Sequence, residues 1–183
     1  CDLVEVTAHV GARTGEGIAN HAGWQGKVYS RSGANPKYPH FATATGYGTG
    51  AGLGGWNCRH SAYAYFEGDP RAYTDEHLRE MEKETVTYNG KKMSVYDATQ
   101  RQRAIERQIR RWKREFKALE AAGQDPYEAA VKLRKWQSTE KDFAAQTSLK
   151  RQSERTEVHG FERSEATRAR AAVEKYSRIR YNN

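Results

Sequence analysis

Two short segments near the start of the chain carry the side chains best suited to chemistry. The first covers residues 21–29 (HAGWQGKVY) and the second covers residues 54–60 (GGWNCRH). If residues 57–61 are extended, Cys58 and His60 project to the same face, because side chains alternate along a strand. Thiolate and imidazole are ligands that zinc favours. The spacing therefore predicts part of a tetrahedral zinc site.

A complete set of four ligands needs residues from other parts of the chain. His21, with either His9 or His40, would complete a site around Cys58 and His60. The set that we predict is His9, His21, Cys58 and His60. Such a structural site would join the first strand to the turn-rich loop and stabilise a domain with a small core. The alternative is that Cys58 packs as a small apolar side chain, with His60 hydrogen-bonded nearby.

The same segments also fit a cysteine-dependent hydrolase or a toxin-like enzyme. In that interpretation Cys58 is the thiolate nucleophile and His21 is the base. Gln25 or Asn57 would then orient the base or stabilise an oxyanion. Such chemistry requires the groups to converge in space, which a sequence does not show. The metal-site and catalytic interpretations therefore both stay open at this point.

Positive charge is concentrated in the second part of the chain. Residues 1–70 contain five basic and five acidic residues, so the net charge of +8 belongs to residues 71–183. The densest basic run consists of Arg101, Arg103, Arg107, Arg110, Arg111, Lys113, Arg114 and Lys117. A helix carrying this run can follow a phosphate backbone, as in a DNA-binding module, or balance acidic residues on a partner protein. Charge alone does not distinguish DNA from an acidic protein.

The patterning predicts an α+β fold in two parts. Residues 1–70 are rich in turns and contain short strands, so we expect a small, loop-rich α+β domain there. Residues 71–183 form a basic, mainly α-helical region. Within it, Asn89-Gly90 predicts a β-hairpin over residues 85–95, because both turn residues tolerate positive φ.

Apolar residues in the helical region repeat every three or four positions. The two stripes are Ile105, Ile109, Trp112, Phe116 and Leu119, then Tyr127, Ala130, Leu133, Trp136 and Phe143. They predict helices over about 95–122 and 126–146 that form an antiparallel hairpin and bury both stripes. A polar segment, residues 147–163, is expected to be a weakly ordered linker. A further helix is predicted over residues 164–179.

Composition excludes several classes of protein. No run of about 18 apolar residues is present, so no segment of the sequence is predicted to span a membrane. Two cysteines, Cys1 and Cys58, are too few for a disulfide framework. We expect Trp24 and Trp56 to pack in the small core. Because the chain starts with Cys1, we also expect it to be a fragment or a processed form of a longer protein.

Three motifs resemble the signature of the tailed-phage minor capsid protein 2 family. They are HAGWQGKVY at 21–29, GYGTG at 46–50 and GGWNCRHS at 54–61. This family is related to Mu F-like head-morphogenesis proteins, whose pattern runs Arg-x-x-His, Gly-Lys-Val-Phe and then Asn-Cys-Arg-Cys. Arg13 and His21 resemble the first pair, stretched by an insertion at residues 15–18. His60 stands where the second cysteine of the pattern would be.

The resemblance implies a non-enzymatic structural protein of a phage or prophage head, present in few copies. It implies association with portal and capsid proteins, and with packaged DNA, during head assembly or genome delivery. The implied location is the virion, and the bacterial cytoplasm during assembly. The resemblance also implies a long portal-proximal N-terminal region that this chain would lack.

Overall fold

The computed structural model describes residues 1–181, and it describes side chains up to residue 175. In chain order, the strands and α-helices are β1 (Leu3–Val6), α1 (His21–Trp24), β2 (Val28–Ser30), α2 (Phe41–Thr45), β3 (Ala62–Ala64), α3 (Asp75–Lys83), β4 (Thr85–Tyr88), β5 (Lys91–Ser94), α4 (Val95–Ala121), α5 (Tyr127–Thr147) and α6 (Arg163–Tyr181). Two short 3₁₀ helices cover Gly17–Ala19 and Ser153–Thr156. The predicted α+β class is confirmed. No helix within the described part of the chain is long and apolar enough to cross a membrane.

Strand β1 is the centre of a three-stranded antiparallel sheet with the order β2-β1-β3. All four of its residues are buried, including Glu5. The Glu5 carboxylate accepts a hydrogen bond from the Tyr63 hydroxyl at 2.7 Å. It also accepts from the backbone N–H groups of Ala72 and Tyr73, at 3.1 and 3.3 Å. These donors replace the water that the carboxylate loses on burial, and they attach the segment before α3 to the sheet.

An apolar core packs around this sheet. Its buried members are Val4, Val6, Trp24, Tyr29, Phe41 and Leu53. The Trp24 indole N–H donates to the carbonyl of Ile18 at 2.9 Å, so the expected packing role of Trp24 is confirmed. Trp56 is 80% exposed, and the expectation that it packs in the core is wrong. The loop backbone directs its ring outward over Gly50, where a Cβ would lie 3.0 Å from the indole.

The glycine-rich loop between α2 and β3 folds back on itself. The backbone N–H of Leu53 donates to the carbonyl of Thr45 at 2.9 Å. A Cβ at Gly52 would overlap the carbonyl of Gly46, so only glycine permits this close approach. The loop therefore has a defined path, and that path determines where the carbonyl of Ala51 points.

Contacts divide the chain into two compact units. Unit 1 comprises Cys1–Thr85 and Met93–Asp97, and unit 2 comprises Val86–Lys92 and the chain from Ala98 onward. Helix α3 therefore belongs to unit 1. The division into domains that we expect at residue 70 stays a prediction.

Two short sequence motifs, a helix cap and a hairpin turn, adopt the structures predicted for them. The Thr74 hydroxyl accepts from the backbone N–H of His77 at 3.2 Å and caps α3. Asn89 and Gly90 have φ values of 49° and 75° and connect β4 to β5. A hairpin turn of this kind requires positive φ at both positions. Neither feature depends on a distant part of the chain.

Helices α4 and α5 form the predicted antiparallel pair, and all of α5 and α4 from Ala98 onward belong to unit 2. On α4, Ile105, Ile109 and Phe116 are buried. On α5, Leu133 and Phe143 are buried as well. The helices α4, α5 and α6 begin and end within two residues of their predicted bounds. The 3.6-residue period was therefore a guide to α4 and α5 and to the centres of their buried faces. The stripe residues Trp112, Leu119, Tyr127 and Trp136 are half-buried.

Residues 148–162, which connect α5 to α6, are ordered by contacts with α4. Basic side chains of α4 donate to backbone carbonyls of this connection: Arg110 to Arg155, Lys113 to Thr156 at 2.7 Å and Lys117 to His159 at 2.7 Å. Phe161 is buried, with its ring centroid 6.0 Å from that of Phe116. The expectation of a weakly ordered linker is wrong, because tertiary contacts supply the order that the polar sequence does not signal.

Candidate metal centre and basic helix surface

His21, Cys58 and His60 come together within unit 1. One potential ligand atom from each residue lies within 4.8 Å of the other two. Cys58 Sγ is 3.5 Å from Nδ1 of His60, in agreement with side chains that share one face of an extended segment. His21 approaches from the first position of α1. We call these three residues the Cys58 cluster.

Local hydrogen bonds hold both parts of the Cys58 cluster in place. Beyond the cysteine, the Ser61 N–H donates to Oγ1 of Thr7, and the Ser61 carbonyl accepts from the Thr7 N–H, both at 2.9 Å. These bonds extend the pairing of β3 with β1. On the other side, the Asn20 side chain accepts from the Gly23 N–H at 3.2 Å and begins α1 at His21.

Gln25 determines which nitrogen of His60 faces Cys58. The Gln25 Oε1 atom accepts from the backbone N–H of His9 at 3.0 Å, which identifies it as the carbonyl oxygen. Nε2 of His60 lies 3.0 Å from the same oxygen and must therefore carry the proton. Nδ1 of His60 is left with its lone pair directed toward Cys58. The catalytic interpretation of the sequence includes Gln25. In the structure, Gln25 contacts Nε2 of His60, on the side of the ring away from Cys58.

The glycine-rich loop orients His21 in the same way. Nε2 of His21 lies 2.8 Å from the carbonyl oxygen of Ala51, which can only accept a hydrogen bond. Nε2 therefore carries the proton and Nδ1 has the lone pair. The sequence could not identify Ala51, because its contribution is a backbone carbonyl whose direction depends on the folded loop.

Burial keeps both imidazoles of the Cys58 cluster neutral. His21 is 4% exposed and His60 is 7% exposed, and both rings pack against Trp24 at centroid distances of 4.5 and 4.8 Å. Burial, followed by repulsion from His9 and His21, lowers the pKa of His60 to about 3. Burial also lowers the pKa of His21. The neutral imidazole is the form that binds metals.

His9 lies beside the Cys58 cluster, and it is not among the three residues whose ligand atoms converge. Its ring stacks on the ring of His60 with 4.3 Å between centroids. Nδ1 of His9 lies 3.0 Å from the Val10 carbonyl and 3.2 Å from Nη2 of Arg59. Its Nε2 is buried and has no hydrogen-bond partner among the described residues. His40, the other candidate, is exposed and bonds to Thr43.

The catalytic interpretation names Cys58, His21 and Gln25, and the structure arranges these residues differently. Cys58 lies 3.5 Å from His60, and Gln25 bonds to the far nitrogen of that same ring. A nucleophile, a base and an orienting amide would therefore be Cys58, His60 and Gln25. The alternation of side chains around Arg59 was the sequence signal for the pairing of Cys58 with His60.

The eight predicted basic residues of α4 lie on different faces of the helix. Arg110, Lys113 and Lys117 face residues 148–162 and donate to carbonyls there. Burial lowers the pKa of Lys113. Arg101 lies over the ring of Tyr88, 4.6 Å from its centroid. Arg103 is half-buried. The basic run therefore includes residues that serve unit 2 itself.

Arg107, Arg111 and Arg114 form a separate, exposed row on α4. Their spacing of four and three residues places them on one side of the helix. The Arg111 guanidinium lies 5.1 Å from the centroid of the Trp112 ring, which helps to orient it. We call these three residues the arginine face.

Comparison with known proteins gives a consistent result. A model of the family described as phage minor capsid protein 2 matches residues 1–145. A structural protein of Lactococcus phage mv4 is 34% identical over 127 residues, which cover 68% of this chain and 94% of that protein. A structural protein of Lactococcus phage LL-H is 38% identical over 89 residues, which cover 49% of this chain and only 21% of that protein. No solved structure matches.

Proposed function

The chain belongs to the phage minor capsid protein 2 family, and on this basis we propose that it is a structural, non-enzymatic component of a phage head. The observation that carries this proposal is the extent of the family match, residues 1–145, which includes unit 1, α4 and nearly all of α5. Both similar phage proteins are named structural proteins. The proposed location is the virion, with the bacterial cytoplasm as the site of assembly.

Portal and capsid proteins are the proposed partners. Support comes from large aromatic side chains that unit 1 exposes: Trp56 is 80% exposed, Phe66 63% and Tyr47 57%. Exposed aromatic residues are enriched at protein–protein interfaces, where they contribute much of the binding energy. Trp56 is the strongest candidate, because it is the largest of these side chains and the most exposed.

Purified phage heads test the structural role. The chain should be present in heads freed of tails, at low copy number relative to the major capsid protein, and it should cross-link to portal or capsid protein. Trp56→Ala should reduce its amount in heads, whereas Trp56→Phe, which keeps an aromatic ring, should restore it. A chain that is abundant in infected cells but missing from purified heads would contradict the proposal.

Packaged DNA is a further proposed partner, through the arginine face. Arg107, Arg111 and Arg114 are exposed guanidinium groups on one side of a helix, and guanidinium groups suit phosphate contacts. Binding of this type releases counterions, so affinity falls as salt rises, with a slope of about −0.9 per phosphate contact in log–log coordinates.

Fluorescence anisotropy with a short DNA duplex, measured across a salt series, tests this contact. Replacing all three arginines of the face by Gln should reduce the magnitude of the salt slope by about 3, one phosphate contact for each residue removed. The control replaces the exposed Arg134, Lys135 and Lys141 of α5 by Gln, which removes the same charge elsewhere. Equal losses in both triple variants would mean that only net charge matters and would reject a specific arginine face.

A further inference from the structure

We propose that the Cys58 cluster binds one zinc ion, through Sγ of Cys58 and the Nδ1 atoms of His21 and His60. This inference stands apart from the proposed role in a phage head. It rests on the positions of three side chains and on the hydrogen bonds behind them.

The separation of Cys58 from His60 matches the spacing of ligands around tetrahedral zinc. A Zn–S bond of about 2.3 Å and a Zn–N bond of about 2.0 Å that meet at the tetrahedral angle place sulfur about 3.5 Å from nitrogen. Cys58 Sγ and His60 Nδ1 are 3.5 Å apart. The other separations are at most 4.8 Å, so the ligand nitrogen of His21 needs to move by at most about 1.5 Å to reach tetrahedral spacing.

Both imidazoles are oriented by a second set of hydrogen bonds, as is usual for metal ligands. Gln25 Oε1 holds the proton of His60 on Nε2, and the carbonyl of Ala51 does the same for His21. Each partner accepts only, so each imidazole presents an unprotonated Nδ1. A cluster stabilised only by packing would not require the same tautomer of both histidines.

Zinc fits this ligand set better than calcium or magnesium does. A thiolate with two imidazoles suits a borderline-soft metal, whereas calcium and magnesium prefer oxygen ligands. On binding, the Cys58 thiol loses its proton to solvent and the sulfur forms the Zn–S bond. Neither the metal nor the sulfur changes oxidation state.

A zinc ion here would connect parts of unit 1 that are distant in sequence. His21 belongs to α1, and Cys58 and His60 precede β3. Through Ala51, the glycine-rich loop supports the same site. Metal binding would therefore stabilise unit 1, because the unfolded chain does not hold these ligands together.

Metal content and thiol reactivity of the full chain test the proposal together. Protein purified with zinc and then desalted should contain about one zinc ion per chain by elemental analysis. Substitution by cobalt(II) should give the visible absorption of tetrahedral cobalt and a near-ultraviolet thiolate-to-cobalt band. In the wild-type chain, a chelator should accelerate the alkylation of Cys58 by iodoacetamide. The rate at which the exposed Cys1 is alkylated should stay the same.

Matched variants locate the site. Cys58→Ser and His21→Gln should lose zinc, whereas Cys1→Ser and the exposed His77→Gln should retain it. The wild-type alkylation experiment does not depend on the folding of any variant. Wild-type protein that is folded but free of zinc after exposure to it would overturn the proposal. Two further results would also overturn it. One is alkylation of Cys58 at the same rate with and without metal, and the other is retention of zinc by Cys58→Ser. Rapid alkylation of Cys58 under all conditions would instead favour a cysteine nucleophile.

Discussion

Among the described residues, unit 1 buries more polar and charged side chains than unit 2 does, alongside an apolar core of its own. The buried polar and charged residues of unit 1 include Glu5, His21, Gln25 and His60. The largest buried residues of unit 2 include Ile109, Phe116 and Phe143, each at most 1% exposed. Polar groups need partners at defined distances and angles, whereas apolar groups need only a complementary shape. Unit 1 therefore depends on a few specific polar contacts as well as on its apolar core, and unit 2 depends more on the amount of apolar surface that it buries.

Unit 2 also buries polar side chains, which are Gln102, Glu106, Glu140 and Thr147 among the described residues. Glu106 and Glu140 are 1% and 3% exposed. Arg151 lies 2.6 Å from the Glu140 carboxylate, and Arg155 lies 4.0 Å from that of Glu106. Both arginines belong to the connection between α5 and α6, so these ion pairs help to attach it.

The largest effect should come from removing apolar surface in unit 2. Phe116→Ala deletes a fully buried ring that packs near Phe161. We expect the free energy of unfolding to fall by about 3–5 kcal/mol, because the transfer energy is lost and a cavity remains. Urea denaturation measures this change.

An exposed aromatic residue of unit 1 is the control for that measurement. Trp56→Ala should change the free energy of unfolding by less than about 0.5 kcal/mol, because the side chain is 80% exposed. Similar losses for the two variants would mean that burial does not explain the stability of unit 2.

An intermediate effect should come from removing one polar contact in unit 1. Gln25→Ala leaves the half-buried His9 N–H and the buried His60 Nε2–H without their acceptor. We expect a loss of about 2–3 kcal/mol, since an unsatisfied buried donor costs about 1–3 kcal/mol. In unit 2, Gln102→Ala removes the hydrogen bond that the side-chain amide donates to the Lys150 carbonyl, and this should cost about 1 kcal/mol. Equal losses of stability in Gln25→Ala and Gln102→Ala would contradict the greater dependence of unit 1 on polar contacts.

The smallest effect should come from removing the charge of Glu106, a buried carboxyl group of unit 2. Burial raises the pKa of Glu106, against attraction to Arg155. A carboxyl whose pKa is raised by folding destabilises the protein above that folded pKa, and the cost disappears below the unfolded pKa. Glu106→Gln should therefore raise the free energy of unfolding at pH 8.

The matched measurement compares the stability of wild type and Glu106→Gln near pH 4. At that pH the carboxyl of Glu106 is protonated to a large extent in both the folded and the unfolded state, since its unfolded pKa is about 4.3. There, the difference between wild type and Glu106→Gln should be close to zero. A stability gain that is unchanged between the two pH values would show that the charge of Glu106 is not its cause. A loss at pH 8 would show that the pair with Arg155 outweighs desolvation.

The two units also differ in how well the sequence predicted them. The α4 and α5 stripes and the turn at Asn89-Gly90 followed from spacing within a few residues, and these features are confirmed. Cys58 and His60 were predicted to share a face for the same reason. Trp56 was placed in the core because tryptophans are usually buried, but the glycine-rich loop turns it outward.

The sequence by itself determined the α+β class, the family, the long helices and the pairing of Cys58 with His60. Each depends on local periodicity, on turn residues or on motifs that can be compared directly. Only the tertiary structure brought His21 and the Ala51 carbonyl to Cys58, ordered residues 148–162 on α4 and separated the arginine face from the other basic residues. These outcomes depend on contacts between distant segments and on the direction of backbone carbonyls, and neither is encoded in residue spacing.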